Sequence, residues 1–155
     1  MKVLAVALLV LVAAGPPPNS AGVPANAGGT PPGAINPNVT QENIHQTICV
    51  PGWTKTIRPT VTYTNRLKHD MLSRGYVGHG WMEEDMKDYE LDHYIPLELG
   101  GHPTDPNNLW PQPWIGKCGA HVKDTMENLL HRRVCAGETT LADAQTAIRM
   151  GCWGK

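Results

Sequence analysis

Asp92 and His93 stand side by side in ELDHYIPLELGGHPTDPNNLWPQPW, residues 90–114. A carboxylate is a hard oxygen ligand suited to magnesium, manganese or a related divalent ion. An imidazole titrates near neutral pH and can take a proton from water. Side by side they would form half of a phosphodiesterase, with a metal ion to stabilise phosphate charge and a base to make the nucleophile.

The flanking residues say how such a pair would be held. Tyr94, Ile95, Leu97 and Leu99 are strand formers around His93, and Gly100-Gly101 permits a turn that residues with a Cβ resist. Asp105-Pro106-Asn107-Asn108 is a second turn signal. The chain is therefore expected to run out on one strand, reverse through a wide loop, return at Leu109-Trp110 and enter a helix over 121–135. Val122, Met126, Leu129, Leu130 and Val134 recur there at helical spacing, and Gly137 stops the run. Asn108 would then face the acid and the imidazole across the hairpin. Upstream, TQENIHQTICV predicts a short helix capped by Thr40, and residues 64–76 predict a second, with Leu67, Met71 and Leu72 inward and Gly75 at its end. Downstream, Thr140 and Asp143 make a capping-box start for a last helix carrying Leu141, Ala144, Ala147 and Ile148 on one face. The fold class expected is α+β, a mainly helical small domain around one β-hairpin.

The segment Asp92-His93-Tyr94-Ile95-Pro96-Leu97 with Gly100-Gly101, followed by Asn108-Leu109-Trp110-Pro111, resembles the HNH branch of the His-Me finger (ββα-metal) endonucleases, in particular small exported bacterial proteins of that kind. The resemblance is strong over about 90–114 and weaker through KDTMENLLHRRVC and the upstream CVPGWTKTIRP and YTNRLK. It implies that Asp92 is the first metal ligand, that His93 is the general base and that Asn108 orients the strand bearing the His. It also implies a His or Asn ligand on the helix about nine residues after Asn108. That offset lands on Lys117, which is no ligand when protonated, so the pattern departs here. The connection PQPWIGKCGA can shift the helix, leaving His121, Asp124 and Asn128 as candidate ligands, His121 favoured. Lys117, Lys123, Arg132 and Arg133 flank the site and are candidate phosphate contacts. The implied cofactor is a divalent metal ion, Mg2+ first and Mn2+ or Zn2+ as alternatives. The implied partner is nucleic acid, DNA or RNA.

Other residues carry weaker signals. Glu90 shares a strand face with Asp92. Trp110 and Trp114 have the chemistry to stack on bases, but in a chain without Phe they are expected to fill the core. His45, His69 and His79 show no ligand spacing and read as surface residues, His102 reads as an exposed residue of the hairpin loop, and His131, on one helical face with Asp124 and Asn128, reads as a packing residue. Glu83, Glu84, Asp85 and Asp88 lack the spacing of a calcium loop and read as a solvated acidic loop.

Residues 1–14, one Lys and an apolar run ending in small residues, read as a secretory signal peptide, and no later segment could span a membrane. Residues 15–37, rich in Pro, Gly, Ala and Asn, read as a flexible linker, leaving 38–155 as the domain. A secreted or periplasmic protein follows, with no membrane attachment after cleavage. In that setting Cys49, Cys118, Cys135 and Cys152 suggest two disulfides. Of the three connectivities we expect Cys49 with Cys135 and Cys118 with Cys152. A formal net charge of −1 excludes a broadly basic nucleic-acid binder, so any such contact must be a local patch. Two functions follow: an exported metal-dependent endonuclease using a His-activated water, or a catalytically inactive exported HNH-like binding module.

Overall fold

The computed structural model describes residues 30–75 and 83–153. The chain makes a small α+β domain in which helices surround one two-stranded antiparallel sheet. Strand β1 (Tyr89–His93) pairs with β2 (Leu109–Pro113), His93 opposite Leu109 and Asp92 opposite Trp110. Helices α1 (Trp53–Ile57) and α2 (Val61–Ser73) precede the hairpin, and α3 (Ala120–Cys135) and α4 (Leu141–Met150) follow it. The hairpin-then-helix order expected around His93 is therefore present.

Local chemistry accounts for the ends of these elements. Thr60 caps α2 by accepting from the Tyr63 N–H, and Thr140 caps α4 by accepting from the Asp143 N–H. Gly75 follows α2 in the left-handed conformation expected of a C-terminal glycine. The core gathers Leu67 and Met71 of α2, Ile95, Leu99 and Leu109 of the hairpin, Leu130 and Val134 of α3, and Ile148 of α4. Trp110 and Trp153 complete it. Trp153 donates its indole N–H to the Ile148 carbonyl at 2.7 Å, which folds the tail back onto α4.

Three expectations change. The strand stops at His93, and Leu97–Leu99 forms a 3₁₀ turn that buries its two leucines. Pro96 has no N–H to give a ladder, so the apolar run turns inward instead of pairing. Secondly, α3 lies rotated from the face its apolar spacing suggests. Ala120, Lys123, Leu130 and Val134 point inward, whereas Val122, Met126 and Leu129 are 39–48% exposed. Lastly, the tract read as linker up to residue 37 belongs to the domain from about Gly33. Ile35 bridges Gly101, the Gly33 N–H reaches the Asn107 carbonyl at 2.9 Å, and Asn36 is buried. Backbone bonds hold this stretch, which is why its lack of large side chains misleads. The signal peptide and His79 lie outside the described residues, as do the side chains of Glu83, Glu84 and Asp85.

Both expected disulfides form, Cys49–Cys135 and Cys118–Cys152. No helix among the described residues is long and apolar enough to cross a membrane. The bridges span 86 and 34 residues, and the cost of closing a loop rises only logarithmically with its length. Replacing Cys49 and Cys135 by Ser is expected to cost about 4–5 kcal/mol of unfolding free energy, and replacing Cys118 and Cys152 up to about 1 kcal/mol less. Urea denaturation of the two double variants checks the order.

Candidate active site

The site is built at the open end of the hairpin, where the ladder needs a side chain to continue. The Tyr94 N–H still pairs with the Asn108 carbonyl at 2.8 Å. One residue further, the Asn108 amide takes over the role of a strand: Oδ1 accepts from the Ile95 N–H at 2.8 Å, and Nδ2 donates to the Ile95 carbonyl at 2.9 Å. Nδ2 also donates to the His102 carbonyl at 3.0 Å, so one fully buried amide ties both sides of the loop. Gly101 is required beside it, because a Cβ there would collide with the Ile95 carbonyl and with Asn108 Nδ2. Gly100 takes φ +75°, a left-handed turn that L side chains resist.

This bracket sets the imidazole. His93 Nε2 lies 2.9 Å from the Pro103 carbonyl, and the ring is 5% exposed. A carbonyl only accepts, so the proton sits on Nε2 and Nδ1 is left bare. Nδ1 makes no hydrogen bond to the described residues, nor is it among their sealed, unpartnered polar atoms, which are Glu98 Oε1, Trp110 Nε1 and Gln112 Oε1. Burial lowers the His93 pKa below its ordinary value, with Arg58 and Lys123 adding to the effect and Asp92 and the Pro103 bond opposing it. The imidazole is thus neutral at pH 7 and carries an accepting nitrogen. His102 shapes the same loop, its Nδ1 accepting from the Asp105 N–H at 2.9 Å.

Asp92 is committed elsewhere. Neighbours on a strand point to opposite faces, and the Asp92 carboxylate turns to α3, where Lys123 Nζ meets Oδ2 at 2.6 Å. The same ammonium donates to the His93 backbone carbonyl at 2.8 Å and to Glu127 Oε1. Lys123 is completely buried, and Asp92 and Glu127 keep only 17% and 12% side-chain exposure. Three N–H donors meet three oxygen acceptors, and none is left over. Burial alone would depress the ammonium, but the charges of Asp92 and Glu127 outweigh it and hold its pKa above the ordinary value. One cation does not neutralise two carboxylates in a dry site. Burial, with the Asp92 charge behind it, pushes Glu127 up to about 8 against the pull of Lys123. At neutral pH Lys123 is charged, and Glu127 holds its proton more tightly than a free glutamate does.

The same crowding reaches further. Burial, then the charges of Asp92 and Asp124, push Glu90 up to about 7. Burial and the Asp92 charge also raise Asp124. Beside this network opens a cleft of about 210 Å³ lined by Thr54, Arg58, Glu98, Asp124, Glu127 and Asn128, among others.

The helix candidates make contacts of their own. His121 is exposed and lies against Trp114, ring centroids 5.4 Å apart. Asn128 donates to the Asp124 carbonyl of its own helix. Asp92, His121 and Asp124 do not form a group of ligand atoms within 4.8 Å of one another. Among the described residues, the trio that does is Cys49, His131 and Cys135, whose two sulfurs are bonded to each other. A divalent ion therefore does not fit the Asp92 site, since it would have to displace an ammonium that is already fully coordinated.

Of the candidate phosphate contacts, Lys123 is the one the structure removes from solvent, to hold Asp92. Lys117, Arg132 and Arg133 are exposed. Arg132 and Arg133 lie nine and ten residues beyond Lys123 on α3, roughly 14 Å along the helix axis, and Arg133 pairs with Glu138 at 3.5 Å. Sequence reasoning missed Glu127 and Arg58. For Glu127 a signal was available, its i,i+4 spacing from Lys123. Arg58 precedes the hairpin by some thirty residues, and no spacing pointed to it. No family model, curated protein or solved structure matches the chain.

Two outcomes test this electrostatic arrangement. Lys123→Met strands Asp92 and is expected to cost about 3–5 kcal/mol of unfolding free energy, part of which Asp92→Asn in the same chain restores, as read by urea denaturation. Glu90 and Glu127 have folded pKa values of about 7 and about 8, raised from 4.5. The folded state therefore holds their protons more tightly, and the stability they contribute is complete below pH 4.5 and is lost as pH climbs through 7 to 8. Thermal melting across that window should show a decline that Glu127→Gln flattens.

Proposed function

We propose that this chain is an exported phosphodiesterase of the ββα His-finger type, acting on DNA or RNA. The observation that supports it most is the His93 tautomer: Nε2–H is held on the Pro103 carbonyl, which leaves Nδ1 an unprotonated acceptor without a hydrogen bond to the described residues. In the proposed reaction, Nδ1 takes a proton from water as its oxygen attacks phosphorus. The P–O bond to the leaving oxygen breaks, and that oxygen takes a proton from solvent. The Pro103 carbonyl favours the imidazolium so formed, and the Asn108 bracket keeps the ring in place while the charge changes. Arg58, exposed at the cleft and with a guanidinium that makes no hydrogen bond or ion pair to the described residues, would meet the phosphate oxygens. The metal-dependent route implied by the resemblance gives way to this one because Asp92 is bound by Lys123.

A second reading is an exported module with the same shape and no turnover. It is favoured by the carboxyl groups of Glu98, Asp124 and Glu127 along the cleft, which repel a polyanion when ionised.

The experiment incubates the oxidised protein with plasmid DNA and with RNA in EDTA, Mg2+, Mn2+ and Zn2+, beside His93→Ala and Arg58→Ala. Cleavage reduced about 10²–10⁴-fold in His93→Ala supports hydrolysis by this base. A base must be unprotonated to act, and burial lowers the pKa of His93 from 6.5, so kcat/KM should fall with acidification only at lower pH than for a base of ordinary histidine pKa. A folded protein that cleaves neither polymer under any condition would place the chain in the second reading.

A further inference from the structure

We infer that Lys123 is the built-in cation of this site: its ammonium fills the position between the Asp92 carboxylate, the Glu127 carboxyl group and the His93 carbonyl, closing that position to divalent metal ions. Three oxygens from two elements converge on one point. Two come from β1, as Asp92 Oδ2 at 2.6 Å and the His93 carbonyl at 2.8 Å, and the third comes from Glu127 on α3. Hard oxygens converging in this way are what a cation of either kind needs. The occupant here is covalently part of the chain, buried without solvent exposure, and has one donor for each acceptor. A metal ion entering the site would leave that ammonium buried without a counter-charge, whereas an ammonium expelled to solvent would need a different packing of α3.

Helix placement argues the same way. The apolar spacing of α3 favours burying Val122, Met126 and Leu129, yet these are exposed while Lys123 and Glu127 face the hairpin. On the inward face Lys123 and Glu127 stand between Ala120, Leu130 and Val134, and the ammonium ties that face to β1. Lys123 is therefore a positioning residue, fixing Asp92 and the strand that ends at His93. Any hydrolysis at His93 then proceeds in chelator. That corollary rests on the proposed function, while the closure of the site to metals does not.

The test is a binding measurement, so that a protein that cuts nothing still answers it. Free Mn2+ is followed by electron paramagnetic resonance as it is titrated into oxidised wild type, Asp92→Asn, Lys123→Ala, and Lys123→Ala combined with Asp92→Asn. Wild type is expected to show no uptake that depends on Asp92. Lys123→Ala is expected to take up one equivalent at least about tenfold more tightly than wild type, an effect lost in the double variant. If Lys123→Ala does not fold, Lys123→Gln, which offers an amide oxygen in place of the ammonium, is titrated instead. One equivalent bound by wild type and lost in Asp92→Asn would overturn the inference. So would failure of both Lys123 variants to gain a site, since the position would then be no cation position at all. If the protein cleaves nucleic acid, EDTA should change its rate by less than about twofold.

Discussion

The arrangement of this domain depends on one fully buried ammonium. Lys123 joins α3 to β1 through a side-chain contact and a backbone contact at once, gripping both Asp92 and the carbonyl of His93. An ion pair taken out of water gains little net stability, but removing one partner is severe, so such a contact specifies an arrangement more than it strengthens it. What it specifies here is the rotation of α3. The inward stripe of the helix carries Lys123 and Glu127 between Ala120, Leu130 and Val134, and Val122, Met126 and Leu129 are left toward solvent.

Asn108 supplies the complementary constraint on the other side of the hairpin. Its amide imitates a strand for one residue, pairing with both the N–H and the C=O of Ile95 and then with the His102 carbonyl. The loop that carries Pro103 is therefore fixed relative to the strand that carries His93, and the imidazole finds its carbonyl partner without depending on the rest of the helical shell. Local hydrogen bonding sets the imidazole, whereas long-range charge sets the carboxylate beside it.

This division explains which parts were legible in the sequence. Turn chemistry is local: the double glycine, the Asp-Pro-Asn-Asn turn and the strand-forming run located the hairpin, and the threonine caps and terminal glycines located α2 and α4. The even cysteine count in an exported-looking chain led to two disulfides, though the count alone leaves three pairings open. The rotation of α3 was not legible, because Val122, Met126 and Leu129 make a convincing apolar face until the partner of Lys123 is known. That partner lies 31 residues away on another element. For the same reason Lys123 read as a solvated phosphate contact and Glu127 did not register. Residues 33–36 escaped because their attachment is made by backbone atoms, which composition does not report.

The two disulfides acquire a further meaning from their positions. Cys118 lies just before α3, and Cys135 is its last residue. The helix is therefore bolted at both ends, to Cys152 in the C-terminal tail at one and, at the other, to Cys49 in the turn that follows the 3₁₀ helix Gln41–Gln46. A rod held at both ends cannot swing like a door. Whatever approaches the cleft beside Arg58 meets a wall whose side chains were set in place at oxidation, and it must fit that surface as it stands.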